Sequence, residues 1–451
     1  MNLEKKRSWL VISLVATLVF SVAPTARAVN LPLLPDWAKS ATIYEVNLRQ
    51  YTSEGTFNAF AKSLPRLKAL GVKILWLMPI QPISVKNRKG SLGSEYSVAD
   101  YKGINPEFGN SSDFTSLVRS AHQLGFKVIL DWVANHSGWD NPWIANKSWY
   151  HQDASGNIIS PNPDWSDVAW LNYENQDLRT AMIDAMSYWV TSFDIDGFRA
   201  DVADGVPADF WNQANDKLQM IKPLFMLAES QGNDSLLEHT FVSNYNWELL
   251  HLMNDIGSGI KSRAEFLDTA SRQTMMYPKG TFAMNFITNH DENTWSGTEF
   301  MRLGKAVNAM AALTFTYPGM PLIYSGQEVG NTKQIAFFDK DLIPGLSHAN
   351  STSVFYSKLI ALKSRNEALW NDSPATLNSL NSNNPKVLSF SRTRNGDKVI
   401  VVINLSAKNQ STKIKLGLLV GKYKSFSTNK TVGFSGSLTL QPWGVEIYST
   451  K

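Results

Sequence analysis

The chain has no cysteine among its 451 residues, which excludes disulfides, thiolate metal sites and a lipid-modified cysteine. It also lacks a charge bias. The formal net charge is +4, but four basic residues and one acidic residue fall within the first 28 positions, and the remainder carries 39 basic and 38 acidic residues. A near-neutral chain offers no support for nucleic acid or an anionic membrane surface as partner. Low-complexity tracts and internal repeats are missing. No apolar run after residue 28 is long enough to read as a membrane span. With 43% hydrophobic and 18% charged residues, the composition is that of a globular protein, not a disordered one. Tryptophan is abundant at 15 residues, which suits either a dense aromatic core or platforms for stacking on sugars.

The first 28 residues form a separate segment. Lys5, Lys6 and Arg7 precede the apolar run WLVISLVATLVF, and Ala26-Arg27-Ala28 supplies an A-x-A cleavage pattern. These features predict a secretory signal peptide over 1–28, and a secreted or periplasmic protein free of the membrane once it is removed.

From Ala41 onward, strand-like apolar runs alternate with amphipathic helical stretches about eight times. ATIYEVNL, VKILWLMPI, KVILDWV, GFRADVA, LFMLAES, FVSNYNW, TFAMNFITN and MPLIYSG are the strand candidates. That alternation predicts an α/β fold, a (β/α)8 TIM barrel over 29–366. The third repeat is interrupted. Residues from about 136 to 175 are rich in Trp, Asn, Asp and Pro without a clear period, which predicts a small inserted domain. After Asn366 short alternating runs such as KVLSFSRT, KVIVVINLS and GVEIYST predict an all-β domain over 367–451.

Three of the strand candidates end in carboxylates: Asp201, Glu229 and Asp291. Polar residues at barrel strand ends meet solvent, so three such acids can converge on one cleft. Glycoside hydrolysis needs such a set, with one carboxylate as nucleophile and one carboxylic acid as proton donor. Arg199 lies two residues before Asp201, on the same face of a strand, and its charge favours the ionised carboxylate. Taken alone, that pair reads equally well as a structural salt bridge. Glu229 follows the apolar LFMLA, whose walls would raise its pKa as a general acid requires. His136 and His290 are candidates for contacts to sugar hydroxyls, and aromatic residues of SEYSVADY are candidates for stacking.

In order, DWVANHS, DGFRADVAD, the glutamate of LFMLAES and FITNHD resemble the four signature regions of the alpha-amylase family, glycoside hydrolase family 13. SEYSVADYKGINPEFG and VAWLNYEN resemble two further motifs of that family. The resemblance implies a C-terminal β-sandwich and an alpha-amylase-like, retaining hydrolase acting on starch-derived α-glucans or maltooligosaccharides. It implies Asp201 as nucleophile, Glu229 as general acid/base and Asp291 as transition-state stabiliser. Tyr96, His136, Arg199 and His290 would line the substrate subsite, with Asp131 in a supporting role. Transglycosylation, or α-glucosidase action on short oligosaccharides, uses the same residues and stays open. A non-catalytic glucan-binding protein is the remaining alternative, against which the complete acid set argues. No cofactor is implied as required. Many relatives bind a structural calcium with an aspartate where this chain has Trp170, and have Lys-His where it has Asp204-Gly205. Asn135 remains, so a weak or absent ion is the expectation.

Overall fold

The computed structural model describes residues 32–232 and 234–451. The leader expected at 1–28 therefore lies outside the described residues. Ten strands precede the last barrel helix: β1 (Ile43–Val46), β2 (Ile74–Leu77), β3 (Lys127–Val133), β4 (His136–Gly138), β5 (Val168–Trp170), β6 (Gly197–Asp201), β7 (Phe225–Ala228), β8 (Ser243–Tyr245), β9 (Phe282–Asn285) and β10 (Met320–Tyr324). All but β4 and β5 close into a ring in the order β1, β2, β3, β6, β7, β8, β9, β10. Every neighbouring pair in it is parallel. This is the (β/α)8 barrel that the alternating pattern predicts.

Helices Ser111–Gln123, Gln176–Phe193, Ala208–Gln219 and Ser351–Arg365 cover the periodic stretches that mark them. The stretch FNAFAKSLPRLKALG differs, forming two helices, Phe57–Ala61 and Leu64–Leu70. Pro65 lacks a backbone N–H and sits in the first turn of the second, where none is needed. A helix at Trp247–Gly257 fills the region after β8 where the sequence pattern blurs.

The strand period of two sorts each strand's side chains. Ile43, Ile74, Ile129, Phe225, Leu227, Phe282, Met284, Met320 and Leu322 form one buried cluster filling the lower barrel lumen. Their neighbours Tyr44, Leu75, Val128, Leu130, Phe198 and Met226 face outward into the larger cluster beneath the helices. Toward the C-terminal strand ends the inward face turns polar. Glu45 comes two residues after Ile43, Asp131 two after Ile129, and Glu229 two after Leu227. On β6 the inward positions are Gly197, Arg199 and Asp201. A Cβ on Gly197 would fall 1.9 Å from the Phe225 carbonyl oxygen, so only glycine lets β6 lie this close to β7.

The insert leaves the barrel after β3. Within it β4 and β5 pair antiparallel, with His136 opposite Trp170. Three single-turn helices, Pro142–Ala145, Lys147–Trp149 and Pro163–Trp165, and connecting loops complete it.

Beyond the barrel come β11 (Asn378–Ser379), β12 (Val387–Arg394), β13 (Asp397–Asn404), β14 (Gln410–Lys413), β15 (Gly421–Ser425), β16 (Thr431–Phe434), β17 (Ser437–Leu440) and β18 (Val445–Ser449). They form a six-stranded sheet, β11-β12-β13-β18-β15-β16, and a two-stranded ribbon, β14-β17. Ile400 and Val402 of β13 belong to the core of this domain. Val399, Val401 and Ile403 join the cluster that continues into the barrel. β13 is therefore apolar on both faces, which explains its uninterrupted VIVVI run. Among the described residues no helix is long and apolar enough to cross a membrane.

Candidate active site

The polar end of the lumen is organised around one guanidinium. Arg199 is fully buried, with faces of Trp76, Tyr245 and Tyr96 at 5.0, 5.6 and 6.0 Å. Its Nη1 donates to Asp131 Oδ1 at 2.8 Å and to Asp201 Oδ1 at 2.9 Å, and its Nε donates to the Tyr245 hydroxyl at 3.0 Å. Its Nη2 lies 2.9 Å from Glu229 Oε1, an ion pair without hydrogen-bond alignment. Asp201 and Glu229 thus share one cation.

Glu229 is further held by the backbone. The Val202 N–H donates to its Oε2 at 2.8 Å. Val202 adopts φ 43 and ψ 50, a left-handed conformation that costs a β-branched residue about 1–3 kcal/mol. Here the strained turn after Asp201 aims an amide at the neighbouring acid.

Burial pushes the Asp201 carboxyl well above the usual range, and the charge of Glu229 adds to the rise. Arg199 pulls it down without reversing the direction, so the arginine alone does not hold Asp201 ionised. Burial also raises Glu229; Arg199 opposes this and Asp291 reinforces it. Two buried carboxyls sharing one cation titrate as a pair that retains a proton to higher pH than either would alone.

A second chain of contacts enters from β1. His290 Nδ1 hydrogen-bonds Glu45 Oε1, and its Nε2 lies 2.8 Å from the Tyr96 hydroxyl. Tyr96 donates to Asp131 Oδ2 at 3.0 Å, as does Trp76 Nε1 at 3.1 Å. Burial lowers the His290 pKa, but Asp291 and Glu45 outweigh it and carry it to about 10. The ring is then an imidazolium that donates from both nitrogens, and the network runs from Glu45 through His290 and Tyr96 to Asp131 and Arg199. Glu45 escaped the sequence reading. Its signal is a lone carboxylate inside the apolar strand IYEV, where a buried charge demands a partner. Trp76, Tyr245, Trp295 and Phe337 also escaped that reading, because single aromatics in a strand or loop carry no pattern of their own.

Asp291 sits beyond the strand, not at its end. β9 stops at Asn285, and Asn289 caps the short helix His290–Trp295 by accepting from the Glu292 N–H at 2.7 Å. Asp291 is in that helix's first turn, with its side chain 41% exposed. Its Oδ2 is 3.3 Å from His290 Nε2, and its Oδ1 accepts from Trp295 Nε1 at 3.2 Å. His136 begins β4 rather than ending β3. It is buried, its pKa lowered to about 4 by burial, so it is neutral at ordinary pH.

The predicted residues Asp201, Glu229, Asp291, Tyr96, His136 and His290 all line one cavity of about 380 Å³. Arg199 and Asp131 lie in the buried layer beneath it. Lys89, Asp164, Trp165, Asp167, Trp295, Phe337 and Phe338 supply further walls. The tryptophans divide between core and cavity wall. Trp76, Trp132, Trp189 and Trp211 are fully buried, while Trp165 and Trp295 border the cavity.

At the position where a structural calcium would lie, the residues fit an ion poorly. Trp170 offers no side-chain oxygen; its ring lies 3.9 Å from that of His151. Asn135 Nδ2 contacts His136 Nδ1 at 3.2 Å, and its Oδ1 would lie 2.7 Å from a Cβ on Gly205. Among the described residues no group of three or more His, Cys, Asp or Glu is arranged to hold a metal. The side chains there offer one amide oxygen, from Asn135, and no carboxylate, so a calcium would depend on backbone carbonyls and water for its six to eight oxygens.

Residues 38–167 and 148–374 match the family model of the alpha amylase catalytic domain, and residues 377–447 match that of the maltogenic amylase C-terminal domain. An alpha-amylase of Haloarcula japonica is 26% identical over 415 residues, covering 86% of this chain and 60% of that protein. The chain thus spans about three fifths of that curated relative's length. The crystal structure of an alpha-amylase from Lactobacillus plantarum superposes with a TM-score of 0.81 at 30% identity, covering 92% of this chain and 99% of that one. A maltogenic alpha-amylase from Thermotoga neapolitana gives 0.82 at 29% identity, covering 92% of this chain and 99% of that one. A closed parallel barrel that gathers these carboxylates on one cavity, in a chain matched by the catalytic-domain model over most of its length, belongs to the alpha-amylase family.

Proposed function

We propose that the protein is a retaining hydrolase of α-glucosidic bonds in starch-derived α-glucans or maltooligosaccharides. The observation that carries this reading is the sharing of Arg199 by Asp201 and Glu229. One guanidinium draws the two carboxyls toward the short separation of a retaining site, about 5 Å, rather than the wider gap that seats a water in an inverting one. The aligned hydrogen bond from Arg199 Nη1 favours the charge on Asp201, while the Val202 N–H favours it on Glu229. The reaction needs the proton that the pair retains to sit on Glu229, leaving Asp201 ionised.

In the first step Asp201 bonds to the anomeric carbon, while Glu229 gives its proton to the departing glycosidic oxygen. Glu229, now ionised, takes a proton from water. The water oxygen then displaces Asp201 and restores the starting configuration. Asp291 faces the cavity beside His290, suitably placed to offset positive charge developing on the sugar ring. The relatives' names and the maltogenic amylase C-terminal match support α-glucans as the substrate class. Proton NMR of the first product from maltooligosaccharides tests the reading: the α-anomer must appear before mutarotation, and a first β-anomer would sink it. Products longer than the substrate would instead identify transfer.

Export follows from the leader at 1–28. N-terminal sequencing of protein recovered from the medium or periplasm should start at Val29. Recovery in the cytoplasm with Met1 or Asn2 as first residue would refute it.

A further inference from the structure

The cavity is bridged on one side by Lys89, a residue of the segment after β2. Its ammonium lies 3.1 Å from Asp167 Oδ1 and donates to the Asp164 carbonyl, both in the insert. It also lies 5.9 Å from the centroid of the Phe338 ring, in the segment after β10. Asp167 is buried, and among the described residues its carboxylate meets no other cation within ion-pair distance. The segment carrying Lys89 is itself anchored. Leu92 N–H donates to the Phe338 carbonyl at 2.9 Å, and Ser91 donates to Asp339 from both its backbone and its hydroxyl. Gly90, at φ 61, has room for no Cβ, which would meet Phe338 Cβ at 2.4 Å. Three chain segments distant in sequence therefore join at one ammonium.

The side on which this bridge lies follows from the chemistry. The proton donor Glu229 must face the leaving group, so the glycone occupies the opposite side, against Tyr96, His290 and Asp291. Tyr96 stacks on Phe337 with ring centres 6.0 Å apart, Phe337 meets Phe338 at 5.0 Å, and Phe338 meets Lys89. The bridge thus lies on the glycone side of the cavity. A groove that is open at both ends admits the middle of a chain; one closed beyond the glycone sites admits only a chain end.

We propose that Lys89 is a specificity-determining residue whose tie to Asp167 and Asp164 walls off the glycone end, making the enzyme act from the non-reducing ends of α-glucans. This rests on the α-glucan reading above. The products are short maltooligosaccharides of fixed length, set by the distance from the wall to Asp201. The tie joins a flexible ammonium to groups on separate segments, so its loss frees the wall without touching the acids.

The test compares a maltoheptaoside with free non-reducing-end hydroxyls to one whose terminal 4- and 6-hydroxyls carry a cyclic acetal. The wild type should cleave the free substrate and act on the blocked one at least about tenfold more slowly in kcat/KM. Lys89→Ala, and separately Asp167→Asn, should narrow that ratio about tenfold, and Lys89→Met reports whether the charge or the stem forms the wall. Thermal melting confirms that each variant is folded, and either folded variant with a narrowed ratio supports the proposal. A wild type that cleaves both substrates equally overturns it, as does an unchanged ratio in folded Lys89→Ala and Asp167→Asn. A wild type that hydrolyses neither substrate overturns the α-glucan reading itself.

Discussion

The lower and upper halves of the barrel lumen are built by the same strands and the same inward face, yet they do opposite work. Below, Ile43, Ile74, Ile129, Leu227 and Leu322 exclude water and close the ring. One inward position higher, Glu45, Asp131, Arg199 and Glu229 are almost as deeply buried but ionisable. Burying four ionisable groups is costly, and each must find a partner. They do so by converging on Arg199 and His290, and what is left uncompensated is a carboxyl pair with raised pKa values. The lesson is that stability and reactivity are separated by a single strand repeat, about 7 Å along the strand.

If that division is right, the two halves respond to substitution in opposite ways. The largest effect falls on the upper layer. Asp201→Asn and Glu229→Gln should each lower kcat on maltooligosaccharides by at least about a thousandfold, and each should raise Tm by relieving repulsion within the buried pair. Steady-state kinetics beside thermal melts check this; near wild-type turnover in a folded Asp201→Asn protein would remove it as the nucleophile.

Ile129→Ala is the converse. It empties part of the lower lumen, and should cost about 2–5 kcal/mol of stability while leaving kcat/KM within a few-fold of wild type at a temperature where the protein is folded. Denaturant unfolding gives the first quantity. A large loss of activity with little loss of stability would show that the layers are not separate.

Glu45→Gln sharpens the boundary, because Glu45 is on the first strand and stands behind His290 rather than in the cavity. The His290 pKa of about 10 lies above that of an unfolded histidine, so its stabilisation is complete below about pH 6.5 and is lost as pH rises toward 10. Glu45→Gln lowers the folded pKa and should move that alkaline loss to lower pH, with a fall in kcat/KM of about ten- to a hundredfold. Melts across an alkaline pH series decide it. An unshifted profile would exclude Glu45 as the group holding the imidazolium.

The smallest effect is expected at the insert, where the resemblance implies a calcium site and this chain has Asn135, Trp170 and Gly205. Added calcium or excess EDTA should change Tm by less than about 2 °C, since an ion that binds weakly adds little by mass action. A rise of many degrees with calcium would mean that backbone carbonyls complete a site that the side chains do not.

Much of this molecule is legible in one dimension because its repeats are local. The 3.6-residue period marks Ser111–Gln123 and Gln176–Phe193, and the period of two places Arg199 and Asp201 on one face without reference to any other strand. Short strands with little apolar character escaped for the same reason: GKYKS, TVGF and SLTL carry too few apolar residues for their period to show. NHD reads as a strand end because the apolar run TFAMNFIT does not reveal where pairing stops; in the barrel, pairing stops at Asn285 and Asn289 opens a helix.

The barrel class, the common face of Arg199 and Asp201 and the resemblance that the order of the acids carries are all legible in the sequence. Tertiary structure alone decided that Glu45 meets His290 from 245 residues away, that Asp201 and Glu229 divide one guanidinium, and that Lys89 reaches the insert. The physical reason is that side-chain direction along a strand is set by neighbouring backbone dihedrals, whereas partners across a closed ring are set by how all eight strands pack together.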